Sequence, residues 1–155
     1  MSNYAHMAMT SAIVSFLVVV MLNGRQAPSP EEVAVPVTQA DTLTDWELLQ
    51  MAIIMTESRY NPEALGTHQD AGLYQMTPIY VAEINRIAGT DYTHADAFDP
   101  CKAVEMFATM QGHYNPEQDF DTALYYHNRS AEYRRRVLEN LAFVKRYETT
   151  RRIVK

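Results

Sequence analysis

Between residues 44 and 131 the chain is punctuated by helix starts and stops, and this punctuation limits the fold more than any other feature. Thr44-Asp45-Trp46-Glu47 has the T-x-x-E form of a capping box, in which a hydroxyl and a carboxylate satisfy the free backbone donors of a helix start. Thr77-Pro78 and Asp99-Pro100 each place a capping side chain before a proline at the first helical position, where the missing N–H costs nothing. Asp119 or Asp121 can cap a short helix through Tyr126, and Ser130 opens a long last helix toward Tyr147 and on to Ile153. Stops stand between the starts: Asn61-Pro62, Gly89 and Asn115-Pro116. Apolar residues nowhere alternate with period two over any length, and no repeat recurs at a fixed period. The expectation is a mainly α domain over residues 43–155.

The sequence before that domain has a different character. Residues 11–22, SAIVSFLVVVML, match a signal-peptide core in length and are short for a bilayer crossing. No Lys or Arg precedes them, and Arg25 follows, the reverse of the usual signal arrangement. Residues 1–23 therefore read as an export signal or short membrane anchor, with a buried or partner-facing segment as the alternative. Residues 24–42 contain Pro28, Pro30 and Pro36 among polar residues and read as a linker.

Composition decides three further points. At 47% hydrophobic and 21% charged residues the chain is globular, not disordered. Its single cysteine, Cys101, excludes an intrachain disulfide and lacks a metal-binding partner, so a small core filler is expected. Residues 129–155 hold nine basic against three acidic side chains, a local +6 in a chain of formal charge −6. That balance suits either a solvated helix face or steering toward an acidic partner. Nucleic acid is disfavoured as that partner because no zinc, helix-turn-helix or aromatic-basic motif accompanies the charge. Asp91, His94, Asp96 and Asp99 read as turn caps, so neither metal nor cofactor is expected.

Glu57 is the carboxylate with chemical promise. The helix from Thr44 carries Trp46, Leu49 and Ile53 on one line and Leu48, Ala52 and Met55 on another, so it is expected to be central and buried. Glu57 closes it, at the edge of an apolar environment of the kind that keeps a carboxylic acid protonated for general-acid work.

At this point the residues resemble a family. Glu57-Ser58, Asn61-Pro62, Ala64, then Gly72-Leu73-Tyr74-Gln75-Met76 and Pro78 resemble the E-S-x-x-N-P-x-A … G-L-M-Q-x-x-P signature of soluble lytic transglycosylases and goose-type lysozymes. Phe98-Asp99-Pro100 is similar to that family's F-D-P turn, Ala123 to Asn128 to its A-L-A-A-Y-N segment, and Tyr133 with Val137-Leu138 to its Y-x-x-x-V-L. Four motifs in order over residues 44 to 148 make the match specific.

The resemblance implies a lysozyme-like single domain in which one essential glutamate, Glu57, cleaves peptidoglycan between N-acetylmuramic acid and N-acetylglucosamine. It implies that Ser58 and Gln75 orient the glutamate and line the sugar groove. Tyr74 replaces the family's Met and adds a hydroxyl for sugar contact. Asn128 matches, but His127 stands where the family has Tyr, so either Tyr126 or His127 supplies the polar contact near Glu57. His68 replaces a common hydroxyl residue in the substrate-facing loop. Asp70, in the same loop, is either a turn residue or a second carboxylate able to activate water for hydrolysis with inversion. The expected function is lytic transglycosylation, in the periplasm or cell envelope or in a phage particle. The alternatives are a lysozyme-type hydrolase, or a virion or secretion-machine component that binds glycan without turnover. Membrane contact is expected only through residues 11–22.

Overall fold

The computed structural model describes residues 43–153, so the apolar segment 11–22 and the linker 24–42 lie outside the described residues. Among the described residues five α-helices follow one another: α1 Asp45–Glu57, α2 Pro78–Ala88, α3 Pro100–Tyr114, α4 Phe120–His127 and α5 Ala131–Ile153. A 3-10 helix, His94–Phe98, joins α2 to α3. Among the described residues the β pairing is limited to two isolated bridges, Leu65 with Ala71 and Ala71 with Met76. The class is therefore mainly α, and no described helix is long and apolar enough to cross a membrane.

The start signals act as the sequence predicts. The Thr44 hydroxyl accepts from the Glu47 N–H at 3.2 Å while the Glu47 carboxylate accepts from the Thr44 N–H at 2.6 Å. Thr77 caps α2 through the Tyr80 N–H, and Asp99 caps α3 through Cys101 and Lys102. Asp119, rather than Asp121, caps α4 by accepting from the Thr122 N–H. Each such cap is worth about 1 kcal/mol. Gly89 ends α2 at φ 66°, the left-handed stop that glycine adopts without strain.

α1 is the central rod. Every residue from Trp46 to Ile54 is buried, so the helix has no solvated face over that stretch. α5 lies along it and buries Tyr133, Val137, Leu141 and Val144, spaced three or four apart as one apolar stripe. Polar ties reinforce the pair: Asn140 donates to the Thr56 hydroxyl at 2.8 Å, and Lys145 pairs with Asp45. α2, the 3-10 helix and α3 form the other half of the core with Val81, Ile84, Val104, Met106 and Phe107. Each large core side chain contributes about 1.5–3 kcal/mol by leaving water.

One expectation needs correction. Cys101 is exposed, not a core filler, because it occupies the first turn of α3 beside the Asp99 cap, before the helix reaches the core with Ala103. Several basic residues of α5 form exposed ion pairs, with Glu132 and Glu139 on the same helix and with Asp121 and Asp45 outside it.

Candidate active site

Glu57 is the last residue of α1, where buried rod gives way to loop, and its side chain is 18% exposed. Thr56 and Ser58 use their hydroxyls on helix carbonyls, Ala52 O and Ile54 O, which stitches the last turn together beneath the carboxylate. Two left-handed residues follow, Arg59 at φ 53° and Tyr60 at φ 64°. Strain of this kind, of order 1–3 kcal/mol per residue, turns the chain sharply after the acid and is typical of sites that the surrounding structure holds in place.

The partner of Glu57 comes from the end of α4. His127 Nε2 lies 3.0 Å from Glu57 Oε1, and the imidazole is only 7% exposed. The open choice between Tyr126 and His127 is thus settled by helix geometry. One residue on a helix is about 100° of rotation, so both cannot face Glu57. Tyr126 turns outward and stacks on Tyr114, centroids 5.1 Å apart, while His127 turns in. An imidazole is an adaptable partner: Nε2–H donates to an ionised carboxylate, and a bare Nε2 accepts from a protonated one.

Around this pair three buried polar atoms lack hydrogen-bond partners: His127 Nδ1, Tyr80 Oη and Tyr133 Oη. All three groups touch the imidazole's surroundings, with the Tyr80 ring 6.4 Å from it edge-on and the Tyr133 ring 5.8 Å away. Burial pushes both phenols above the ordinary tyrosine range, and for Tyr133 the charge of Glu57 beside it pushes in the same direction. Both phenols therefore stay protonated and act as donors. The Tyr133 hydroxyl is within the influence of Glu57 yet makes no hydrogen bond of ordinary geometry. Uncompensated buried polar atoms cost about 1–3 kcal/mol each, so this polar cluster around the acid is an arrangement that lowers stability, as functional sites do.

The other resemblance-derived residues serve the loop wall. Tyr74 is fully enclosed, stacked on Phe107 at 4.4 Å, with its hydroxyl donating to Gln50 at 3.2 Å. It has no surface left for a sugar, which corrects the expected hydroxyl contact. Gln75 donates to Ala64 O and Gly72 O, and Ser58 to Ile54 O, so both brace backbone. Asp70 packs back on its own loop: a Cβ added at Gly66 would lie 2.7 Å from Asp70 Oδ2 and 2.9 Å from Gln75 Oε1. Its N–H neighbour across the turn is Gly66, donating to Asp70 O. Asp70 is placed as a turn residue. His68 is exposed in the same loop, and Asn128 caps the turn into α5 by accepting from Ser130 N–H. Gly72, at φ 71°, allows this loop to press on the 3-10 helix, where any Cβ would collide with Ala97 O at 1.8 Å.

Of the residues read as turn caps, His94 donates to Met76 O, Asp96 accepts from the Thr93 N–H, and Asp99 caps α3. Sequence reasoning passed over Tyr80 and gave Tyr133 only as a motif match. The signal for Tyr80 was weak, a tyrosine two positions after the Thr77-Pro78 start.

An all-helical domain presenting one partly buried acid at the end of its central helix is of the lysozyme-like class. Residues 37–133 match the Transglycosylase SLT domain, more than half of the 155-residue chain. The chain belongs to this family, whose members are in general lytic transglycosylases, and its activity is peptidoglycan-related at that level. Neither curated proteins nor solved structures give a match.

Proposed function

We propose that this protein is a lytic transglycosylase that cleaves the bond between N-acetylmuramic acid and N-acetylglucosamine and leaves a 1,6-anhydro ring. The observation that carries the reading is the partly buried Glu57 at the end of the central helix, held against His127 with Tyr133 beside it. Protonated Glu57 gives its proton to the glycosidic oxygen as the C1–O bond breaks and positive charge grows at C1. The substrate's own N-acetyl carbonyl stabilises that charge, so no second carboxylate is required. Ionised Glu57 then takes the proton of the C6 hydroxyl as O6 bonds to C1. His127 serves both halves with one proton placement: its Nε2–H donates to the Glu57 oxygen that does not carry the acid's proton, and so holds the carboxyl in place before and after proton transfer, while the Tyr133 hydroxyl stands beside the same carboxyl group.

Peptidoglycan lies outside the cytoplasmic membrane, so the working location in this reading is the periplasm, the cell envelope or a phage particle. Digestion of purified peptidoglycan by the wild type and Glu57→Gln, with mass spectrometry of the products, tests the assignment. Anhydro ends that depend on Glu57 are expected. Reducing ends would mark a hydrolase, and retention on insoluble glycan without turnover would mark a binding component.

A further inference from the structure

Beside the Glu57 cluster, where the end of α1 meets α5, lies a second cavity of about 470 Å³ that the chemistry above does not use. Arg59 and Tyr60 enter it from the strained turn, Arg136 and Glu139 from α5, and the hydrogen-bonded pair Thr56 and Asn140 lies between. Its charge state is unusual for this molecule. Arg134 and Arg135 on the same helix are paired with carboxylates, and Glu139 is held by Arg135, whereas neither Arg59 nor Arg136 makes an ion pair within 4 Å among the described residues. Two guanidinium forks thus enter one cavity with their donors uncommitted, an arrangement that suits a planar carboxylate.

The cavity is also contiguous with the acid. Arg59 follows Glu57 by two residues, so their Cα atoms are at most about 7 Å apart. On α5, Tyr133 precedes Arg136 by three residues, one turn of the helix, and its phenol feels both groups: the charge of Glu57 raises its pKa and that of Arg136 lowers it. In peptidoglycan the peptide stem leaves the muramic ring through its lactyl group, and C1 of that same ring is the atom attacked. A stem on the reacting sugar therefore starts close to Glu57 and carries free carboxylates outward.

We propose that the Arg59–Arg136 cavity binds a carboxylate of the peptide stem borne by the muramic acid at the cleavage site, so that stem-bearing strands are preferred over bare glycan. This rests on the function proposed above. Tyr60 supplies an apolar wall, and Glu139, held by Arg135, leaves both guanidinium groups to the ligand.

The test titrates the full chain with a free stem tripeptide of alanine, glutamate and diaminopimelate. Saturable binding is expected, weakened at least 10-fold in the Arg59→Gln/Arg136→Gln double variant and retained in Arg134→Gln, whose guanidinium is tied to Asp121. Arg136→Glu, which leaves the strained turn untouched, should weaken it to the same degree, and circular dichroism checks the fold of each variant. The wild type should also cleave stem-bearing strands with higher kcat/KM than amidase-stripped strands, a ratio that collapses toward one in the double variant. Absence of peptide binding, or equal binding by the double variant, overturns the inference. Inorganic phosphate competing as tightly as the peptide does so too, because it would mark a general anion site. Peptide binding without Glu57-dependent cleavage would instead remove the catalytic reading and leave the cavity's ligand standing.

Discussion

The two sides of Glu57 treat polar groups in opposite ways. On the loop side, residues 58–77, side-chain donors are spent on backbone: Ser58 on Ile54 O, Gln75 on Ala64 O and Gly72 O, with Tyr74 spent on Gln50. On the helical side, His127 Nδ1 and Tyr80 Oη are buried without a partner, and Tyr133 Oη stands by Glu57 without a hydrogen bond of ordinary geometry. The first wall is a scaffold that gains stability from its polar groups. The second forgoes stability to surround the acid with polar groups, as functional sites do.

Four substitutions test that contrast. Glu57→Gln has the largest effect, because an amide cannot donate and then retrieve the proton; release of soluble glycan should fall about 10³-fold or more, measured by turbidity loss of purified peptidoglycan. His127→Phe should lower kcat about 10–100-fold by leaving Glu57 without its partner. Its thermal midpoint should stay near that of the wild type, because the same change removes an unpaired buried nitrogen. A large loss of stability there would mean His127 belongs to the scaffold. Gln75→Ala should behave the other way, costing about 1–3 kcal/mol in chemical denaturation as two carbonyls lose their donor, with kcat of the folded protein little changed. Tyr133→Phe should be the mildest, raising stability by up to about 1 kcal/mol while lowering kcat a few-fold through the loss of a polar neighbour of Glu57. A loss of stability there would show that the hydroxyl is satisfied after all.

Much of the scaffold was legible in the residues. Caps are local chemistry, readable within four positions, so Thr44, Thr77, Asp99 and Asp119 announce their helices without help from the tertiary fold. The position of Glu57 was legible for the same reason, as the end of an apolar helix. The groups around it were not. His127 reaches Glu57 across seventy residues of chain, and its inward turn is set by where α4 starts, a matter of one residue. Tyr74 was misread because nothing local distinguishes a tyrosine that faces solvent from one stacked on Phe107. Cys101 was misread for a related reason, since residue type suggests burial but the first turn of α3 stands outside the core.

The packing of α5 along α1 bears on where this protein can be shortened. The family match ends at residue 133, close to the start of α5. Val137, Leu141 and Val144, all beyond that boundary, cover the rod whose last residue is Glu57. A chain trimmed to the family boundary would keep Glu57, His127 and Tyr133 and lose the lid of its own core, so the smallest fragment that folds must run past Val144.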